Sequence, residues 1–309
     1  MPKLFVYDTG RPKTTAVTIA FARGAIRYNN ENNTGWQVKH IPIEVYLQNG
    51  FPSDLNPSVD AVASLGILRG TGKMFKEAKH KGIDYYYMDH AYFSPGYGGK
   101  GWMRITKNNH TCVNLRDVPK DRWNGFHKNK GYQCLPWKHN SDRGRNILIL
   151  PPTGAISWFF NQGPEEWLDS IINKLKRLLP ESEHYRIQVR RKPKEPVVDG
   201  DGNLLNLKSY PQQDQPLDQA LRDAQCVVAY NSMVALEATM EGIPVITSEN
   251  SCCNRVSFNL DVYSQQLDPK EFNIEPVNRS PLLFWLSYNQ WKRRDIEDGT
   301  AWRMLQEQN

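Results

Sequence analysis

The chain has 309 residues, with 39 lysines and arginines against 33 aspartates and glutamates and a net charge of +6. That length exceeds one small core and suits two domains of about 150 residues each. No apolar run approaches the roughly 18 residues that cross a bilayer, and the start lacks a signal peptide's apolar core. The five cysteines form no CxxC array, which favours reduced thiols. We therefore expect a soluble, cytoplasmic protein with no membrane partner.

The first part of the chain alternates strand and helix patterns. The predicted elements, in chain order, are a strand at 4–7, a helix at 14–26, strands at 36–43 and 61–68, a helix at 73–80 and a strand at 83–88. This alternation predicts a doubly wound α/β domain with a parallel sheet. Residues 96–145 break the rhythm and are predicted as long loops with a hairpin, a length that usually indicates binding or mobility.

A second alternating series begins at residue 146. Its predicted elements are strands at 147–150, 185–190, 226–230 and 245–247, with helices at 165–179 and 217–224. An aromatic-rich helix is predicted at 282–308. Two α/β domains in series therefore account for most of the chain. Asp199-Gly200-Asp201 has the form of a metal motif but is typical of a hairpin turn between two short apolar runs.

The most specific stretch spans residues 230–246. Asn231 and Ser232 are predicted to cap a helix after a buried strand, and Gly242 to end that helix before the next strand. A helix N-terminus at the carboxyl end of a parallel strand suits a diphosphate, to which Ser232 adds a hydroxyl donor. One turn later, Glu237 can accept hydrogen bonds from ribose hydroxyls. The alternative is an ordinary α/β crossover with a capped helix.

This pattern, Asn-Ser-x-x-x-x-Glu-Ala-x-x-x-Gly-x-Pro-Val-Ile, resembles the donor-domain signature of GT-B glycosyltransferases. The residues of this pattern are most similar to those of the capsular-polysaccharide Kdo transferases, and the overall domain plan resembles phage DNA glucosyltransferases. The resemblance implies two Rossmann-like domains facing a central cleft: an acceptor domain at 1–145 and a nucleotide-sugar donor domain at 146–281. It also implies that residues 282–309 pack back on the first domain.

The seven histidines show no ligand spacing with cysteines or carboxylates, so no metal dependence is predicted. The expected enzyme is an inverting one without a tightly bound cofactor, with a retaining outcome left open. Its co-substrate is expected to be a nucleotide-sugar, with a UDP-sugar favoured and a CMP-sugar as the alternative. Thr153 and Gly154 follow the first strand of the donor domain, where small residues let a phosphate approach the backbone, although a plain turn has the same sequence. Arg190 and Lys192 follow the next strand, and Kdo transferases carry a basic residue before a proline in the equivalent place. The histidine usual in that motif is replaced here.

Asp89 and His90 are the predicted catalytic residues. They lie where strand 83–88 ends, and glycosyl transfer to a hydroxyl needs a carboxylate or imidazole that takes the proton. Phage DNA glucosyltransferases place an Asp or a His-Asp pair in this region, so the resemblance supports Asp89 in particular. The alternative is a turn aspartate beside a packed histidine.

Charge is unevenly distributed along the sequence. Residues 1–145 contain 22 basic and 11 acidic residues, a net +11, whereas the remainder has 17 and 22, a net −5. The cations are densest at 97–145, where they alternate with five aromatic residues. The rings are Trp102, Trp123, Phe126, Tyr132 and Trp137. Cations neutralise phosphates and rings stack on exposed bases, so this composition predicts a nucleic-acid groove. The alternative is a solvated basic region whose rings serve the core.

The predicted acceptor is therefore a hydroxymethyl-pyrimidine in DNA, flipped from the duplex to reach the base. The host cytoplasm would then be the site of action of a phage-encoded enzyme. The predicted acceptor-binding residues are Arg69, Lys100, Arg104, Lys128 and Lys130. Two alternatives stay open: a capsule or lipopolysaccharide transferase acting on an anionic glycan, and a non-catalytic DNA-binding protein with a degenerate GT-B fold. The sequence leaves the oligomeric state open.

Overall fold

A computed structural model describes residues 1–96, 101–179, 185–192, 196–205, 215–258 and 275–307. The chain divides into two compact units. The first unit comprises residues 1–110, 198–204 and 286–309, and the second comprises residues 111–197 and 205–285. No helix in the described part of the chain is both long and apolar enough to cross a membrane.

The first unit is built on a six-stranded sheet. Its strands are β1 (Lys3–Asp8), β2 (Gln37–Pro42), β3 (Ala61–Leu65), β4 (Asp84–His90), β5 (Trp102–Lys107) and β10 (Gln290–Lys292). Their order across the sheet is β10-β5-β4-β3-β1-β2. Strands β1 to β4 are parallel, whereas β5 runs antiparallel to both β4 and β10. The carboxyl ends of β1 and β3 therefore lie side by side at one edge.

Helices cover this sheet through apolar contacts. They are α1 (Pro12–Asn32), α2 (Ile43–Asn49), α3 (Thr71–His80), α10 (Arg293–Glu297) and α11 (Thr300–Glu307). The rings of Phe21, Tyr86 and Trp302 meet in the core with centroids 5.1–5.8 Å apart. At Gly24 a Cβ would overlap the carbonyl oxygen of Ile296, so glycine allows α1 and α10 to pack backbone to backbone.

The second unit contains a four-stranded parallel sheet in the order β7-β6-β8-β9. The strands are β6 (Asn146–Leu150), β7 (Arg186–Val189), β8 (Ala224–Ala229) and β9 (Val245–Thr247). The helices are α4 (Asp121–Lys130), α5 (Gly154–Phe160), α6 (Pro164–Leu178), α7 (Leu217–Arg222) and α8 (Val234–Met240). β6 and β8 form near-continuous buried apolar runs, as expected for parallel strands covered on both faces.

The predicted fold class, two Rossmann-like α/β domains, is confirmed. Two local predictions are wrong. The C-terminal segment is not one helix but α9 (Ser280–Tyr288), β10, α10 and α11, because β10 pairs with β5 and Gly299 adopts a left-handed φ of 91°. The region predicted as loops contains α4, whose Trp123 and Phe126 are buried.

Residues 111–145 belong to the second unit in the structure, whereas the sequence analysis placed them in the first domain. Backbone hydrogen bonds explain this placement. The Leu135 amide donates to Met240 O at 2.8 Å, and the Lys138 amide donates to Gly242 O at 3.0 Å. A Cβ on Gly242 would overlap the carbonyl oxygen of Pro136, so this glycine of the signature allows the segment around Pro136 to pack closely against the end of α8.

This division changes the charge distribution. By sequence, the first unit contains 18 basic and 14 acidic residues, a net +4, and the second contains 21 and 19, a net +2. The contrast of +11 and −5 therefore depends on where the chain is cut. It is not a contrast between the two folded units.

Candidate functional site

The four parallel strands of the second unit end at one edge of its sheet. β6 and β8 are paired up to Leu150 and Ala229, and Ala229 pairs with Thr247 of β9. The segments that follow these strands are residues 151–154, 190–192, 230–232 and 248–250. Open α/β sheets bind ligands outside the carboxyl ends of their strands, so this edge is the candidate ligand site of the second unit.

Thr153 begins α5. Its side-chain oxygen accepts a hydrogen bond from the Ile156 amide at 3.4 Å, and its extended backbone has φ −72° and ψ 159°. This cap satisfies one of the free amides of the helix N-terminus. Gly154 is the first residue of α5, a helix that the sequence did not predict.

The signature helix α8 begins later than predicted. Its N-cap residue is Met233, and no side chain caps it in the usual way. The Ser232 hydroxyl accepts from the Val234 amide at 3.3 Å, so Ser232 does support the first turn. Asn231 does not cap the helix, because the chain turns at residues 231–233 before helical hydrogen bonding starts.

Three polar side-chain atoms near this edge are shielded from water and lack a hydrogen-bond partner among the described residues. They are Asn231 Nδ2, Thr247 Oγ1 and Ser157 Oγ. Asn231 and Thr247 belong to adjacent strand ends, and Ser157 lies in α5 after β6. A shielded polar group without a partner costs about 1–3 kcal/mol. Such groups are therefore suited to form their hydrogen bonds with a ligand.

The predicted charged residues lie at the same edge. Arg190 donates from Nη1 to the Gln215 carbonyl at 2.6 Å, which fixes its guanidinium, and Lys192 is exposed. Glu237 retains an exposed surface on α8, yet partial removal from water and the nearby Glu241 carboxylate raise its pKa. A raised pKa means that protein contacts disfavour the ionised form, which hydrogen-bond donors from a ligand would favour.

An aromatic cluster that no sequence motif indicated adjoins these residues. The Tyr230 ring lies edge-on to Phe160 at 5.9 Å and to Trp167 at 5.8 Å. Asn250 Nδ2 donates to the Tyr230 hydroxyl at 3.2 Å, and the Ser248 hydroxyl donates to the Tyr230 carbonyl at 2.6 Å. Aromatic faces next to polar groups are typical of small-molecule sites.

Asp89 lies within β4, rather than after it, and belongs to a hydrogen-bonded cluster of the first unit. One carboxylate oxygen accepts from the Tyr87 hydroxyl at 2.6 Å and from Arg104 Nη2 at 3.1 Å, and the other accepts from the His90 amide at 2.7 Å. Burial alone would raise the Asp89 pKa. The Arg104 charge, His110 and the hydrogen bonds outweigh it and lower the pKa.

His110 extends this cluster. Its Nε2 lies 3.0 Å from the Tyr87 hydroxyl, and the two rings are 4.6 Å apart. Because the Tyr87 hydroxyl donates its proton to Asp89, its oxygen must accept from His110. We therefore place the imidazole proton of His110 on Nε2, which donates to the Tyr87 oxygen. Removal from water and the Arg104 charge lower the His110 pKa to about 3, despite the opposing effect of Asp89. A histidine in this cluster could not be identified from spacing, because residue 110 follows β5.

The predicted acceptor residues are dispersed. Arg69 is half-buried in the first unit, and Arg104 is buried beside Asp89. Lys128 and Lys130 are exposed in the last turn of α4, in the second unit. Lys100 lies outside the described residues.

The aromatic residues near them largely serve packing. Trp123 and Phe126 are buried, and Tyr132 lies edge-on to Phe126. Trp137 packs against Arg279 and Phe258, and Trp102 packs under Lys292. These contacts agree with the alternative interpretation of the basic segment, in which its rings stabilise the fold rather than stack on bases.

No family model matches the chain, and no curated protein matches it. Among solved structures, it is similar to Thermosulfurimonas dismutans KpsC, beta Kdo 2,4 transferase, with 12% identity, a TM-score of 0.47 and coverage of 94% of this chain and 91% of that one. It is also similar to the beta Kdo 2,7 transferase of KpsC from that organism, with 10% identity, a TM-score of 0.44 and coverage of 99% and 100%. At such low identities and TM-scores, the structural similarity assigns no activity to this chain. Its function has to be inferred from the residues of its own sites.

Proposed function

We propose that the chain is a glycosyltransferase that moves a sugar from a nucleotide-sugar to a hydroxyl acceptor. The main support for this proposal is the set of side chains at the carboxyl ends of the strands in the second unit. There, shielded side-chain atoms of Asn231 and Thr247 lack protein partners beside an aromatic cluster and a helix bearing Glu237. A ligand with a ring, hydroxyls and phosphates complements this combination.

Each part of the donor has a proposed partner. Arg190 and Lys192 supply positive charge for the phosphates, and Thr153, Gly154, Asn231 and Ser232 line the phosphate-binding turns. Glu237 accepts from the ribose hydroxyls, and the rings of Phe160 and Trp167 flank the base. A UDP-sugar is the proposed donor, with a CMP-sugar as the alternative. The proposed mechanism is inverting and uses neither a metal ion nor a tightly bound cofactor.

Proton transfer is assigned to the Asp89-His90 pair of the first unit. The acceptor oxygen attacks the anomeric carbon, and the bond to the nucleotide phosphate breaks with its electron pair on the departing oxygen. The acceptor proton passes to the pair. His90 is its exposed member, whereas Asp89 is stabilised as a carboxylate by Arg104 and Tyr87 and is a weak base. We therefore propose His90 as the base and Asp89 as its positioning residue.

For the acceptor, we propose a hydroxyl of an anionic glycan rather than a hydroxymethyl-pyrimidine in DNA. Base flipping calls for rings that can stack on the extruded base, but Trp123 and Phe126 are buried. The near-equal net charges of the two units also remove the argument for one strongly basic DNA-binding domain.

Calorimetry with UDP-sugars and CMP-sugars tests the donor site. Ser232→Ala and Glu237→Ala each remove a hydrogen bond to a polar or charged group, worth about 1.5–3 kcal/mol, and should weaken binding roughly tenfold or more. Ser170→Ala, at an exposed position of α6, is the matched control and should bind as wild type does. Equal nucleotide-sugar affinity in all three variants would refute this donor site.

A further inference from the structure

Two arginines lie together at the carboxyl edge of the first unit's sheet. Arg11 follows β1, and Arg69 follows β3 in the loop before α3. These strands are neighbours, with Val6 of β1 paired to Ala63 of β3, so both arginines lie at one edge. Burial, and to a smaller extent the positive charge of Arg11, lower the Arg69 pKa, as expected for two cations at one edge of a sheet.

Neither guanidinium has a carboxylate partner among the described residues. The nearest acidic residue in sequence, Asp8, accepts from the Gly10 amide at 3.2 Å instead. Most other arginines of the first unit are paired with a carboxylate, as Arg23 is with Glu297 and Arg27 with Glu31. Two adjacent like charges without a counter-ion repel each other, and an anion between them would relieve that repulsion.

Two helix N-termini add to this positive region. Arg11 is the N-cap residue of α1, and Arg69 immediately precedes Gly70, the N-cap residue of α3. Neither helix has a side-chain cap or an acidic residue in its first turn. Their positive dipole ends are therefore not offset by an acidic residue in the first turn, and they reinforce the attraction of the arginine pair for an anion.

The loop that carries Arg69 is held in place. The buried Thr71 hydroxyl lies 2.8 Å from the Gly66 carbonyl and 2.9 Å from that of Leu68, and the Gly66 amide donates to Met88 O at 2.9 Å. Arg69 itself adopts a left-handed φ of 62°, which is unfavourable for a residue with a side chain. Such conformations persist where the surroundings impose them, and they concentrate at binding sites.

We propose that Arg11 and Arg69 form a binding site for one anionic group, a phosphate or a carboxylate, of the acceptor. The inference rests on the proposed glycosyltransferase function and assigns a specific anchoring point to the acceptor-binding unit. The planar guanidinium fork matches both groups and can bind either with two hydrogen bonds. One compact anion between two arginines differs from the extended row of phosphate contacts that a nucleic acid makes.

Nuclear magnetic resonance of the full chain labelled with ¹⁵N-arginine tests the site. Glucose 6-phosphate, glucuronate and glucose are titrated separately, and the arginine Nε–Hε signals are followed. Arg11→Gln and Arg69→Gln each delete one signal and so assign it. We expect saturable shifts of both signals with an anionic sugar and none with glucose, and the two anionic titrations distinguish a phosphate from a carboxylate.

Deleting either arginine should weaken the affinity reported by the other roughly tenfold or more. Arg27→Gln, a change of the same type on α1 in an arginine already paired with Glu31, should leave the affinity unchanged. Unchanged affinity in both test variants would overturn the site, as would shifts that do not saturate or that affect Arg27 equally. Nucleotide-sugar calorimetry on the same samples reports the second unit, so failure of this site is separable from failure of the proposed function.

Discussion

The Asp89 carboxylate accepts hydrogen bonds from Tyr87, Arg104 and the His90 amide. These partners stabilise its charged form, and the lowered pKa makes it a poor proton acceptor. The sequence predicts a carboxylate directly after strand 83–88. Two of its donors, Tyr87 and the His90 amide, are its neighbours in β4, whereas Arg104 is brought to it by the cross-strand pairing of β4 with β5. The adjacent His90 side chain is exposed, and an imidazole can act as a general base.

Replacing the two residues separately should distinguish their roles. His90→Ala should lower kcat by about 10²–10⁴ with little change in donor KM, because it removes the proton acceptor. Asp89→Asn should have a smaller effect on kcat. The measurement is release of the nucleotide from the nucleotide-sugar, with His80→Ala at the exposed end of α3 as the control. A large loss in Asp89→Asn alone would place the base at Asp89.

The His110 cluster should make stability depend on pH. The folded-state pKa is about 3, below the unfolded value of about 6.5, so between these values the unfolded chain binds a proton that the folded chain does not. The free energy of unfolding should therefore rise with pH across this window, by up to about 1.4 kcal/mol per unit. Urea unfolding at pH 4.5 and 7 should show a smaller difference in His110→Gln than in wild type. An equal difference in both would contradict this role, and His80→Gln controls for an exposed histidine.

Among the secondary-structure elements, those with strong local periodicity were predicted and confirmed. The buried runs of β6 and β8, the strands β1 to β4 and helices α1 and α3 follow from local patterns, whereas the short helix α2 was not predicted. Helix α6 also carries local end signals, with Pro164 at its start, Glu165 and Glu166 in its first turn and basic residues in its last. Each of these signals acts within a few residues, so sequence suffices.

Elements that depend on distant partners were not predicted. β10 has three residues, and it exists because Trp291 pairs with Met103 of β5, far away in the sequence. The site shows the same limit: Asn231 and Ser232 were identified from their motif, but the partner-free Thr247 hydroxyl depends on how β9 is placed beside β8. Likewise, the sequence predicted that Gly242 ends a helix, but not that its missing Cβ leaves space for the Pro136 carbonyl oxygen.

At the scale of the whole molecule, the choice of domain boundary determined the acceptor hypothesis. A cut at residue 145 assigns the whole basic segment to the first domain, whereas residues 111–145 belong to the second unit, to which Leu135 and Lys138 are joined by backbone hydrogen bonds. Net charge is a property of the folded units, not of sequence halves, when it is used to infer a partner. The two unit charges of +4 and +2 offer no contrast from which a DNA-binding domain could be inferred.

A DNA duplex containing 5-hydroxymethylcytosine should therefore bind no more tightly than non-specific DNA does, at about 10⁻⁴–10⁻⁶ M, and with no preference over unmodified DNA. Fluorescence anisotropy across a salt series measures this affinity, and mass spectrometry of the duplex after incubation with the nucleotide-sugar detects transfer. Lys128→Gln with Lys130→Gln removes two exposed cations of α4. If the modified duplex gains a sugar, and the double variant lowers the salt slope by about two units, the acceptor is DNA and these lysines contact its phosphates.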